Sequence, residues 1–112
     1  MSEPRYGCAA VTCSGRLYVL GGNDKDRPLE SVEVFDPADG RWSYVAPMSR
    51  PRHGVAAVEI PGKKILACGG WDGSQLLKSC ELYDVAADQW SDVPADMALG
   101  RMYHGICAIT GT

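Results

Sequence analysis

The sequence has no apolar run approaching the roughly 18 residues that a membrane-crossing helix needs. Its first residues, MSEPRYG, form neither a basic segment nor an apolar one of the secretory kind. These absences exclude a membrane reading and set a cytoplasmic location as the expectation. An excess of basic charge is missing as well: 11 Lys and Arg stand against 14 Asp and Glu, a net charge of −3. Nucleic acid and anionic lipid both demand a basic field, so neither is expected as a partner. The five cysteines contain no C-x-x-C pair, which argues against a zinc site and against a disulfide framework. Most sit in apolar runs such as GCAAV, ILACGG and GICAI, where a free thiol behaves as a small buried hydrophobe. Free thiols in turn imply a reducing compartment.

Catalytic signatures are equally scarce. The two histidines, His53 and His104, each precede a glycine at matching places in successive segments, and no G-x-S-x-G elbow is present. Gly21-Gly22 and Gly69-Gly70 invite a phosphate-loop reading, but such a loop needs a following helix and a lysine at fixed spacing. Neither is found, so no catalytic residue, cofactor or metal is expected.

What the sequence does contain is a repeat. LYVLGGNDKDRPLESVEVFDPADGRW from Leu17 and ILACGGWDGSQLLKSCELYDVAADQW from Ile65 align without a gap at a shift of 48. That shift matches Gly21 with Gly69, Gly22 with Gly70, Asp24 with Asp72, Glu33 with Glu81, Asp36 with Asp84 and Trp42 with Trp90. A second element recurs as PRYGCAAV, PRHGVAAV and RMYHGICAI, with 47 and 51 residues between its glycines. Length varies only between matched blocks, which marks loops.

Each unit reads as four short antiparallel strands. The first (GVAAVEI) is small and nearly all apolar, as for a strand buried on both faces. Ser14-Gly15 or Pro61-Gly62 turns the chain into a second strand that ends at the glycine pair. The third alternates, with Val32, Val34, Cys80 and Leu82 on one face and Glu33, Phe35, Glu81 and Tyr83 on the other. Asp39-Gly40 signals a hairpin before the fourth, which brings Trp42 or Trp90 to the wide end of a wedge. A glycine pair suits crowding near the narrow end, because it admits close backbone approach and positive φ. Gly21, Gly22, Gly69, Gly70, Trp42 and Trp90 are therefore read as structural.

The order Gly-Gly, Glu-x-aromatic-Asp, Trp resembles the kelch repeat, whose period is near 50 residues. GGWDGSQLLKSCELYD in particular is similar to repeats of the BTB-kelch type. The WD40 alternative does not fit, since its period is shorter and its Gly-His signature is missing. The resemblance implies an all-β, kelch-type propeller with two whole blades, 7–46 and 54–94, and the first strand of a third at 105–110. A ring closes over more blades than two, so either the chain is part of a longer propeller or it self-associates to complete one.

By the same resemblance, the loops joining one blade to the next, and those after the glycine pairs, share the partner-binding face. Arg5, Arg50, Arg52 and Arg101, with His53, Tyr103 and His104, are candidates for a rim that accepts an acidic or polar segment of another protein, since guanidinium forks suit carboxylates. The competing reading is that these arginines pair with acids of the neighbouring blade such as Glu33, Glu81, Asp36 or Asp84, or merely solvate a rim. The loop WDGSQLLK adds Trp71, Asp72, Ser74 and Gln75. Trp71 stands where the first unit has Asn23, and it either anchors a partner or packs on its own loop. The functions implied are a non-catalytic interaction module, such as the substrate-recognition part of a cullin-type ubiquitin ligase adaptor or an actin-binding protein. The alternative is a piece of a propeller enzyme resembling galactose oxidase or another sugar-acting enzyme.

Overall fold

A computed structural model describes residues 5–93. Among them, β1 (Ala9–Cys13), β2 (Arg16–Leu20), β3 (Val32–Asp36) and β4 (Arg41–Val45) form one antiparallel sheet in that order. β5 (Ala56–Ile60), β6 (Lys64–Cys68), β7 (Cys80–Asp84) and β8 (Gln89–Val93) form a second with the same order. The turns follow from local chemistry. Ser14 and Gly15 take φ of 54° and 76°, the two left-handed residues of a tight hairpin. In the β3–β4 turn the left-handed position falls to Gly40 (φ 68°), and its counterpart in the second sheet is Asp88 (φ 51°). The first strand of a third unit, predicted at 105–110, lies outside the described residues.

The two sheets meet through β1, which lies against β5 and β6. Tyr18, Leu20, Val32 and Val34 from the first sheet share a buried core with Ile65, Ala67 and Tyr83 from the second, and Met48 and Val55 join it from the connection. Burying each such aliphatic side chain contributes about 1.5–3 kcal/mol. Tyr18 and Tyr83 cross this interface with ring centroids 6.0 Å apart. At the outer edge Trp90 packs on Tyr83 at 5.0 Å, and its indole N–H donates to the Ala46 carbonyl of the first unit at 2.8 Å. The Ala46 N–H donates to Asp88 Oδ1 at 2.9 Å, so both backbone polar groups of Ala46 are held by the second unit.

Two details differ from the sequence reading, the burial of the first strands and the state of two cysteines. β1 and β5 are edge strands with a single hydrogen-bonded partner each, and Ala10, Thr12, Ala56 and Glu59 are exposed, so neither strand is buried on both faces along its length. Glu33 and Glu81 are fully buried, so β3 and β7 have no solvated face at those positions. Trp42 and Trp90 lie on the outer strands β4 and β8, the wide end of each unit, and are half-buried. Finally, Cys68 and Cys80 are not free thiols. They are directly opposed on β6 and β7, 4.1 Å apart at Cα, and are joined as a disulfide. The cysteine pattern therefore no longer argues for a reducing compartment. Cys8 and Cys13 are free.

Candidate functional site

Antiparallel order places the β1–β2 and β3–β4 turns at one end of each sheet. The β2–β3 loop and the connection from β4 to β5 lie at the other end. That second end is built on two buried arginines. The guanidinium of Arg52 donates to Glu81 Oε2 at 3.1 Å, to the carbonyls of Gly69 and Ser79 at 2.8 and 2.9 Å, and to Ser79 Oγ at 3.1 Å. Arg5 repeats the arrangement with Glu33, Gly21 and Ser31. Both pairs are essentially shut off from solvent. An ion pair so buried is tolerable only because its remaining donors also find acceptors. The backbone of Arg52 works in the other direction, donating to Leu29 O and accepting from Gly22 N at 2.9 and 2.8 Å. Its side chain thus secures the second unit while its main chain secures the first.

This geometry explains the glycine pair. A Cβ on Gly21 would overlap the Arg52 carbonyl oxygen, and Gly21 and Gly22 hold φ of 63° and 95°. Beyond each pair the chain forms a matched Asx turn. Asp72 Oδ1 accepts from the N–H groups of Ser74 and Gln75 at 2.8 Å each, as Asp24 Oδ1 does from Asp26 and Arg27. Those backbone N–H groups hold both carboxyls below the usual aspartate range, and nearby Arg50 adds to the effect at Asp72.

The loop then ties to its neighbour. His53 and Trp71 exchange two backbone hydrogen bonds at 2.9 and 2.8 Å, as Tyr6 and Asn23 do one unit earlier. The His53 ring lies over Gly7 and places Nδ1 3.1 Å from the Tyr6 carbonyl. Trp71 in turn bridges to Leu76. The result is a connected row, Tyr6, His53, Trp71 and Leu76, in which Tyr6, Trp71 and Leu76 are 63%, 39% and 76% exposed. Beside the row, a groove of about 300 Å³ is lined by Arg27, Pro28, Glu30, Pro51 and Asp72 among others.

Of the residues expected at a rim, the structure brings His53, Trp71, Asp72, Ser74 and Gln75 together, with Arg50 exposed close by. Arg5 and Arg52 are not on the surface. They pair with Glu33 and Glu81 of their own unit, not of a neighbouring blade. Arg101, Tyr103 and His104 lie outside the described residues. Tyr6 and Leu76 were missed. Tyr6 was legible in principle, because PRYG and PRHG set it at the position of His53; Leu76 gave no signal, since the matching residue is Pro28.

Comparison with known proteins decides the family. The kelch motif is matched over residues 4–49 and again over 51–96. The chain belongs to the kelch-repeat family. This kelch chain is 36% identical over 107 residues to the human Kelch repeat and BTB domain-containing protein 13, a match covering 96% of the chain and 22% of that protein. It is 36% identical over 96 residues to an F-box/kelch-repeat protein of Arabidopsis thaliana, covering 82% and 20%. Kelch-like protein 21 of Danio rerio is 32% identical over 110 residues, covering 97% and 17%. The kelch chain thus spans about a fifth of the length of these relatives. Among solved structures, a fungal alcohol oxidase in complex with copper superposes with a TM-score of 0.76 at 16% identity, over 84% of this chain and 23% of that one. That likeness is one of fold alone.

Proposed function

We propose that this kelch chain is a non-catalytic module that binds another protein through the row Tyr6, His53, Trp71 and Leu76. The observation that carries the reading is the exposure of three large apolar side chains at one end of the sheets, on backbone pinned by paired hydrogen bonds. Aromatic groups held rigidly lose little entropy on binding and are the commonest anchors of protein interfaces. The partner offers an apolar side chain to Trp71 and Leu76 and a carboxylate to Arg27 and Arg50, the exposed guanidiniums beside the groove. The relatives named for BTB and F-box domains support a finer role, in which the module recruits a substrate to a cullin-type ubiquitin ligase. Hydrogen exchange with and without a captured partner tests the surface. Protection is expected at 6–7, 53–54 and 71–76; protection confined to the turns at 14–15, 37–40 and 85–88 would refute it.

A propeller enzyme is the second reading, favoured by the fold shared with the copper-containing oxidase. Among the described residues no three His, Cys, Asp or Glu side chains converge as a metal site. Copper content and an oxidase assay on the full chain separate the two readings.

A further inference from the structure

The bond between Cys68 and Cys80 stands at a particular place. Cys68 is the last residue of β6 and Cys80 the first of β7, so the bond closes the base of the segment Gly69–Ser79 that carries Trp71, Asp72 and Leu76. The first unit has Leu20 opposite Val32 at the same register, both fully buried. Ordinary aliphatic packing therefore satisfies this position, and the two thiols bring chemistry that packing does not require.

The loop's shape does not depend on the bond. In the second unit Gly69 N–H donates to Ser79 O at 3.1 Å and Leu77 N–H to Gly70 O at 2.7 Å. Gly21 with Ser31, and Leu29 with Gly22, repeat these bonds at the same distances in the first unit, where no disulfide exists. A dithiol form would keep the same hydrogen-bonded frame. What the bond changes is how far the loop can open, because it ties two residues only 12 apart in sequence and so removes open conformations.

We propose that Cys68 and Cys80 are a reversible redox staple, whose oxidation state sets how readily the loop Gly69–Ser79 opens. Cys68 is half-buried and the more exposed of the two, whereas Cys80 is buried, with only 6% of its surface exposed. The Cys68 thiolate attacks one sulfur of a small-molecule disulfide such as glutathione disulfide, breaking its S–S bond and releasing one thiolate. The Cys80 thiolate then attacks the Cys68 sulfur and expels the second. Two protein thiols are oxidised, one external disulfide is reduced to two thiols, and the protein's two protons pass to the departing thiolates. The consequence for partner binding rests on the interaction surface proposed above; the staple itself does not.

The test is a titration of the full chain in mixtures of reduced and oxidised glutathione. Differential alkylation with mass spectrometry reads the Cys68 and Cys80 peptides, and amide exchange is followed over Gly70–Lys78. The expected result is full interconversion of the pair, with loop amides exchanging roughly tenfold to a hundredfold more slowly when oxidised, as ring closure of this size implies. Amides of Gly22–Glu30 should not respond. A chain carrying Cys68→Leu with Cys80→Val, the pairing used in the first unit, should stay at the fast rate in every mixture. A pair that never changes state, or a loop that exchanges equally in both states, overturns the proposal. Loss of partner binding in Trp71→Ala is scored separately, so failure of the interaction surface is not confused with failure of the staple.

Discussion

Arg52 looks from its neighbours like a loop residue free to meet a partner, because PRHG precedes a strand and carries a charge. Its burial depends on Glu81, which is 29 residues away and reaches it only after β5, β6 and β7 have paired. Arg5 and Glu33, 28 apart, show the same relation. The clue in the sequence was the recurrence of both charges, Arg5 as Arg52 and Glu33 as Glu81, not either charge alone. Removing one partner strands a buried charge, so Arg52→Met should cost about 3–5 kcal/mol in urea unfolding. The double change Arg52→Met with Glu81→Met should recover much of that loss, and equal destabilisation by single and double variants would contradict the pairing. Asp72 and Asp24 make a milder contribution with a defined sign. Their folded pKa values lie below the unfolded ones, so their support of the turns is complete above the unfolded value and is lost as pH falls through the folded one. Order in the two loops should therefore fade only below about pH 4, as followed by amide exchange, and a midpoint above that range would be against it.

At the scale of elements, strand order and turns were legible because each rests on nearby chemistry: glycine where φ is positive, Asp-Gly at a hairpin, a 48-residue shift that preserved register. The disulfide was not, since it needs the β6–β7 register before Cys68 and Cys80 can be seen to oppose. The clamp on Ala46 was not either. Asp88 replaces Gly40 at a left-handed turn position, and Tyr83 replaces Phe35, which together add a hydroxyl donating to a carboxylate at 2.6 Å. That hydroxyl, followed by the Ala46 N–H, holds Asp88 below the usual range, while burial and Asp88 together push the Tyr83 phenol up. Tyr83→Phe keeps the ring and should cost about 0.5–1.5 kcal/mol. The Asp88 carboxyl should then titrate nearer its ordinary value by NMR; no movement would show that the bond does not hold it down.

For the whole molecule, two sheets of equal order joined by the Arg52 backbone produce one end where connections and long loops gather, and another of short turns. Division of the ends followed from the repeat, but which side chains stand out there followed only in part: Trp71 and His53 were candidates, Tyr6 could have been placed by its match to His53, and Leu76 emerged only from the structure. The claim that this end is the binding end meets its most direct test in the affinity of one purified partner for the chain, for Trp71→Ala, and for Gln89→Ala beside a turn at the opposite end. An exposed aromatic anchor is worth about 2 kcal/mol or more, so Trp71→Ala should weaken binding about thirtyfold with little change in unfolding midpoint, while Gln89→Ala binds as the unaltered chain does. Unchanged affinity in Trp71→Ala, or a loss confined to Gln89→Ala, would contradict the account.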